Sequence, residues 1–188
     1  ALVGNNETSR QLILETLLQK EPSIKELKVS DADFTVIDQI NSLGRSLPDS
    51  SALTFAKPIL PEKSSVISDV SFSKEGKPEL YLTLSVNDPL NQRRIGYLQA
   101  RIELDEIIRR SFNFRLSERG YVFLVDSSGT LIGQTDSELS LHQEEIRENP
   151  GVQSFLAGET LSTGSEYKNY AGVYVIGAFA AVGTPNWA

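Results

Sequence analysis

The sequence predicts an α+β chain. An N-terminal helix precedes two similar modules, each an antiparallel sheet of about five strands flanked by helices. Three observations carry this. Between Ile95 and Asp136 the hydrophobic period switches from two to helical spacing and back, so a strand, a helix and a strand pair follow one another at a seam. Short alternating runs bounded by Gly, Pro, Asn and Asp lie on both sides of that seam. The charge is also uneven: residues 1–115 carry 15 Lys/Arg against 16 Asp/Glu, whereas residues 116–188 carry 3 against 9. The expected organisation is a helix over 1–22, a first module over 23–115 and a second over 116–188.

Taken in order, Thr8-Ser9-Arg10-Gln11 reads as a capping box. Ile13, Leu14, Leu17 and Leu18 then form a helical apolar stripe, which Pro22 stops. That stripe suits first a helix packed on its own sheet; a dimer-forming or signal-carrying helix is the other reading. Ile24 to Val29 and Phe34 to Ile37 read as strands around an Asp31-Ala32-Asp33 turn. Residues 38–63 are turn-rich at Leu43–Ser51, and Pro58 and Pro61 bracket a short extended piece. Ile67 to Phe72, Glu79 to Val86 and Arg94 to Glu103 read as three antiparallel strands.

From Asp105 the period lengthens into a helix through Ile107, Ile108, Phe112 and Leu116, closed by Gly120. In the second module, Tyr121–Val125 and Thr130–Gln134 form a strand pair about the Asp126–Gly129 turn. A polar helical segment covers Leu139 to Glu148, and Asn149-Pro150-Gly151 breaks it. A short helix over Val152–Ala157 and strands near Ser165–Tyr170 and Val173–Val182 follow.

Catalysis finds little footing. The single histidine, His142, sits among Glu144 and Glu145 on a polar stretch, where a solvated face explains it. No nucleophile elbow, zinc-protease pair or phosphate loop is present. Cysteine is absent, so thiol chemistry and disulfide frameworks drop out. Asp31 with Asp33 lacks the further oxygen ligands of a calcium loop, and a turn accounts for the pair. The acidic second module is a poor surface for nucleic acid. No apolar run approaches the ~18–20 residues of a membrane span. The expectation is a non-enzyme with no cofactor.

The run Gly120-Tyr121-Val122-Phe123-Leu124-Val125-Asp126-Ser127-Ser128-Gly129-Thr130-Leu131-Ile132-Gly133 follows a strand that ends in a helix. This pattern resembles the double Cache family, the PAS-like extracytoplasmic sensors of bacterial receptors. Gly177–Val182 leading into Thr184-Pro185-Asn186-Trp187-Ala188 is similar to the closing part of that family's second module. In relatives the last strand runs on for several residues past the position of Ala188.

The resemblance implies an extracytoplasmic ligand sensor of a transmembrane receptor, tethered by membrane helices outside this segment. It also implies a homodimer through the N-terminal helix. A small molecule would be captured in the first, membrane-distal module, and Asp105–Glu118 would act as a linker. The alternative is the same fold without a ligand, serving interaction or dimerisation.

Tyr81, Thr83 and Ser85 share one face of their strand, and Tyr97, Gln99 and Arg101 share one face of the next. In a plain antiparallel sheet such a face is wet; in a PAS-like module it lines a cavity. Asp69 and Ser71 complete the candidate set. The amino-acid-sensing branch of the family typically carries an aspartate where this chain has Arg101. The aromatic and arginine-rich stretch of that branch has no match between Asp38 and Lys63, and its ISDPY-like strand here reads Ile67-Ser68-Asp69-Val70-Ser71. A guanidinium in place of a carboxylate points to a small anion such as a carboxylate. Equally, Arg101 can be spent on an internal ion pair, with Asp69 or Glu103.

Overall fold

A computed structural model of the chain describes residues 6–42, 64–111, 120–135, 146–162, 164–169 and 172–183. The chain divides into two compact units, Ala1–Leu104 and Asp105–Ala188.

In the first unit, helix α1 spans Glu7–Lys20. Its cap is not Thr8 but Asn6, whose side chain accepts from the Ser9 backbone N–H at 3.1 Å. Gln11 instead reaches Glu7, one turn back on the helix. Strands β1 (Ile24–Asp31), β2 (Val36–Asn41), β3 (Ser65–Ile67), β4 (Ser71–Phe72), β5 (Pro78–Asn87) and β6 (Arg94–Glu103) form one antiparallel sheet. Its order is β2-β1-β6-β5-β3, with β4 also on β5. The last strand, β6, is thus inserted between the opening hairpin and β5.

The single strand expected over Ile67–Phe72 is split in two. Ser68 uses its hydroxyl as well as its backbone on Tyr81, accepting from the Tyr81 N–H at 2.9 Å, and the ladder is interrupted there. Strand β2 starts two residues later than expected. The Asp31 carboxylate accepts from the N–H groups of Asp33 (2.9 Å) and Thr35 (2.8 Å), which prolongs the turn, and Phe34 is held at φ 66°.

One face of the sheet carries the core: Leu27, Val29, Ile40 and Ala100, closed by Leu14 of α1 with Leu17 and Leu18 beside it. The apolar stripe of α1 is therefore buried on its own sheet. Arg10 adds a buried ion pair to Asp38 at 2.9 Å, tying α1 to β2.

In the second unit, α2 spans Asp105–Ser111, and β7 (Phe123–Val125) pairs with β8 (Leu131–Gln134). The rest of the expected linker helix, through Glu118, lies outside the described residues. The structural division falls at Leu104, ahead of the expected seam near Leu116, because α2 packs on β8. At Gly133 the backbone lies so close to α2 that an added Cβ would sit 2.6 Å from Ile108 Cγ2. Gly133→Ala is therefore expected to lower stability by ~1–3 kcal/mol through overpacking, read as a lower midpoint in chemical denaturation.

The β7–β8 turn is held by Asp126, which accepts from the N–H groups of Ser128 and Thr130, with Gly129 at φ 77°. Asn149-Pro150 proves to be a helix start and not only a break. Asn149 caps α3 (Pro150–Leu156) by accepting from the Gly151 N–H at 2.9 Å, and Pro150 occupies the first turn. Val125, Ile146, Val152 and Phe155 form the core of this unit. Strands β9 (Ser165–Lys168) and β10 (Tyr174–Gly177) pair with each other. In place of the expected single sheet, the described residues form two separate two-stranded sheets here. His142 lies outside the described residues.

Candidate functional site: the polar face of the first sheet

The side of the first sheet opposite α1 is polar along its length. Register fixes who meets whom: Arg101 of β6 stands between Glu26 of β1 and Tyr81 of β5, and Gln99 between Lys28 and Thr83. Glu26, Gln39, Glu79, Thr83 and Gln99 are all buried, as is Tyr97. Five buried polar or charged groups on one face are an expensive arrangement unless paired.

Much of it is paired. Arg101 donates through Nε to Glu26 (3.3 Å) and through Nη1 to Glu79 (3.3 Å), while its own side chain keeps 25% exposure. Gln39 donates to Glu26 in a short hydrogen bond, and Gln99 reaches the Thr83 hydroxyl at 3.5 Å. Burial and the neighbouring Glu79 carboxylate raise the Tyr81 pKa above the ordinary 10.0, so its hydroxyl stays protonated and donates to Glu79.

At the far end, the Phe34 ring stacks on Tyr97 with centroids 4.1 Å apart, and Arg94 lies 5.5 Å from the Tyr97 ring. A bulky residue at positive φ is strained, and here the strain coincides with that stack. Ser30, opposite Tyr97 in register, is 1% exposed, and its hydroxyl has no hydrogen-bond partner in this structure.

Of the residues singled out from sequence, Arg101, Gln99, Tyr97, Tyr81 and Thr83 share this face. Ser85 lies at its end and donates to the Ser64 carbonyl at 3.2 Å. Asp69 and Ser71 are exposed on or beside the split strand, outside the cluster. The partners of Arg101 are Glu26 and Glu79, not Asp69 or Glu103; Glu103 pairs with Lys77. With its charge answered by two buried carboxylates, Arg101 gives no preference for an anion by itself.

The residues missed were Glu26, Gln39, Glu79 and Ser30. Their signal was present in the alternation of Glu26, Lys28 and Ser30 against Leu27 and Val29. Glu79 likewise stands in phase with Tyr81 and Thr83.

No protein-family model matches the chain, and neither does any curated protein. Solved structures do. The extracellular domain of rpHK1S-Z16, assigned as a histidine kinase, superposes with a TM-score of 0.63 at 18% identity, over 97% of this chain and 76% of that one. The ligand-binding domain of the Pseudomonas aeruginosa PAO1 amino acid chemoreceptor PctC, in complex with GABA, gives 0.63 at 16% identity, over 97% and 79%.

The chain shares the fold of these extracellular domains.

A domain of a sensory box/GGDEF family protein from Vibrio parahaemolyticus shares this fold more distantly, at TM-score 0.52 and 15% identity over 95% and 85%. Identities this low carry the architecture and not the ligand. The ligand question therefore rests on this chain's own polar face.

Proposed function

We propose that the chain is the extracytoplasmic, ligand-sensing part of a membrane-tethered receptor, and that its first unit binds a small zwitterion on the polar face of the sheet. The observation that carries this reading is the mixed-charge cluster of Glu26, Glu79 and Arg101, with Lys28 on the same face. Such a face offers carboxylates to an ammonium and cations to a carboxylate. An anion alone would face Glu26 and Glu79 as well as Arg101, at a cost of several kcal/mol in a partly desolvated setting.

The GABA complex of PctC supports a zwitterion on the same fold. The strained Phe34 and the unpartnered Ser30 hydroxyl add to it, since both features concentrate where a ligand completes the structure. Dimerisation through α1 gains nothing from the packing, because the stripe of Leu14, Leu17 and Leu18 is spent on the sheet.

The second reading is a ligand-free interaction module, favoured by the internal pairing of Arg101. A thermal-shift screen against α- and ω-amino acids separates the two, because a ligand at 100 times its dissociation constant adds ~2.7 kcal/mol. A blank across the panel supports the ligand-free module. Ser30→Ala sharpens the test. Removing a buried hydroxyl without a partner is expected to keep or raise unliganded stability by ~1 kcal/mol, while the stabilisation by the bound amino acid falls. A variant that binds like the parent removes Ser30 from the site.

A further inference from the structure

The polar face of the first sheet is longer than one amino acid, and its two ends differ in charge. Register divides it into three rows. Glu26, Arg101 and Tyr81 stand abreast in the first, Lys28, Gln99 and Thr83 in the second, and Ser30, Tyr97 and Ser85 in the third. Successive rows on one face are two residues apart, so the first and third are separated by about 13 Å at ~3.3 Å per residue. The first row, joined by Glu79, holds two buried carboxylates against one guanidinium. The third carries a cation: Arg94 donates through Nη1 to the Tyr97 hydroxyl at 3.3 Å and lies against the Tyr97 ring. The carboxylates in the turns at that end accept from turn amides, Asp31 from the N–H groups of Asp33 and Thr35, and Asp88 from that of Leu90.

Between the two ends the face offers amide chemistry. Gln99 is buried, and among the described residues its side chain makes one hydrogen bond, the 3.5 Å contact to the Thr83 hydroxyl, which is long for N–H···O. A primary amide presents two N–H groups and a carbonyl oxygen, the complement of a peptide bond. The Phe34–Tyr97 stack makes an aromatic wall beside the third row. A free amino acid, one residue of about 3.5 Å, engages the first row and Lys28 and leaves the third row untouched.

Building on the zwitterion reading above, we propose that the full site takes a short linear peptide of about three residues. Its ammonium sits at Glu26 and Glu79, its backbone amides lie along Gln99 and Thr83, and its terminal carboxylate meets Arg94. Three extended residues span about 10 Å, and the long Arg94 side chain closes the remainder. A guanidinium fork suits a terminal carboxylate and can hold it while one N–H stays on Tyr97. The buried Ser30 hydroxyl, which has no hydrogen-bond partner in this structure, stands in the row where the carboxylate arrives. The contacts of the second and third rows come in addition to those that hold a single amino acid, so length adds affinity.

Titration calorimetry of the 188-residue protein with the free amino acids, dialanine, trialanine, tetraalanine and trialanine amide tests this. The expected result is at least tenfold tighter binding of trialanine than of alanine, with most of that gain lost on amidating the C-terminus. Arg94→Gln should remove the same gain, whereas Lys28→Gln should leave the ratio of trialanine to alanine affinity in place. The amide comparison needs no variant, so it decides even if Arg94→Gln fails to fold. A free amino acid that binds as tightly as trialanine overturns the inference and leaves the zwitterion site standing. So does an amide that binds like the acid. A gain that survives in Arg94→Gln and disappears in Lys28→Gln also overturns it, placing the carboxylate at the middle row. Binding by no peptide and no free amino acid removes the zwitterion reading itself, and the peptide with it.

Discussion

Arg101→Ala is expected to destabilise the first unit by ~2–4 kcal/mol. The wild-type guanidinium answers both Glu26 and Glu79, whose side chains are only 3% and 8% exposed. Its removal leaves two buried carboxylates, one on each strand flanking β6, without their guanidinium, and breaking one partner of a buried ion pair costs more than the pair contributes. The figure sits below the ~3–5 kcal/mol of a fully buried pair because Arg101 keeps 25% exposure and water can enter. Urea denaturation reads the loss as a lower midpoint at unchanged slope. Two companions identify the cause. Arg101→Ala with Glu79→Gln should recover part of the stability, because one of the two orphaned charges is gone. Arg101→Lys should recover less than full stability, since an ammonium cannot serve both carboxylates with the geometry of a guanidinium fork. If the double variant is no better than the single one, uncompensated charge is not the cause.

Leu14→Ala is expected to cost ~2–5 kcal/mol. Leu14 is 0% exposed and fills the centre of the cluster of Leu27, Val29, Ile40 and Ala100. It is the side chain through which α1 closes the core. Leu12, 64% exposed on the same helix, is the control: Leu12→Ala should change stability by under ~0.5 kcal/mol. Comparable losses at both positions would mean that α1 buries its other face in solution, against another molecule.

Much of this architecture was legible because period carries face. The split of Leu98, Ala100 and Ile102 from Tyr97, Gln99 and Arg101 is the split between core and polar cluster in the folded sheet. What the sequence hid was pairing. Nothing local says that Glu26, 75 residues from Arg101 along the chain, stands opposite it; only the β1–β6 register does. For that reason the sequence leaves an anion-binding Arg101 and an internally paired one level, and it points to Asp69 or Glu103 in place of the true partners Glu26 and Glu79.

Caps misled in the same way. Thr8 and Asn6 are both good cap residues, and the choice between them depends on where the helix meets the sheet. The polar face itself was found by alternation, but its strained Phe34 and unpartnered Ser30 hydroxyl are properties of backbone geometry and burial. Composition does not encode them.

The central claim is a zwitterion site on the face built by Glu26, Glu79 and Arg101. The measurement that tests it most directly is isothermal titration calorimetry of the intact 188-residue protein with the best-binding amino acid from the thermal-shift panel, its des-amino and des-carboxy analogues, and Glu79→Gln as the matched variant. The account predicts saturable binding of the amino acid, at least tenfold weaker binding of each singly charged analogue, and a comparable loss in Glu79→Gln with its fold intact. A des-amino analogue that binds as tightly as the amino acid, or binding that Glu79→Gln leaves unchanged, would contradict it.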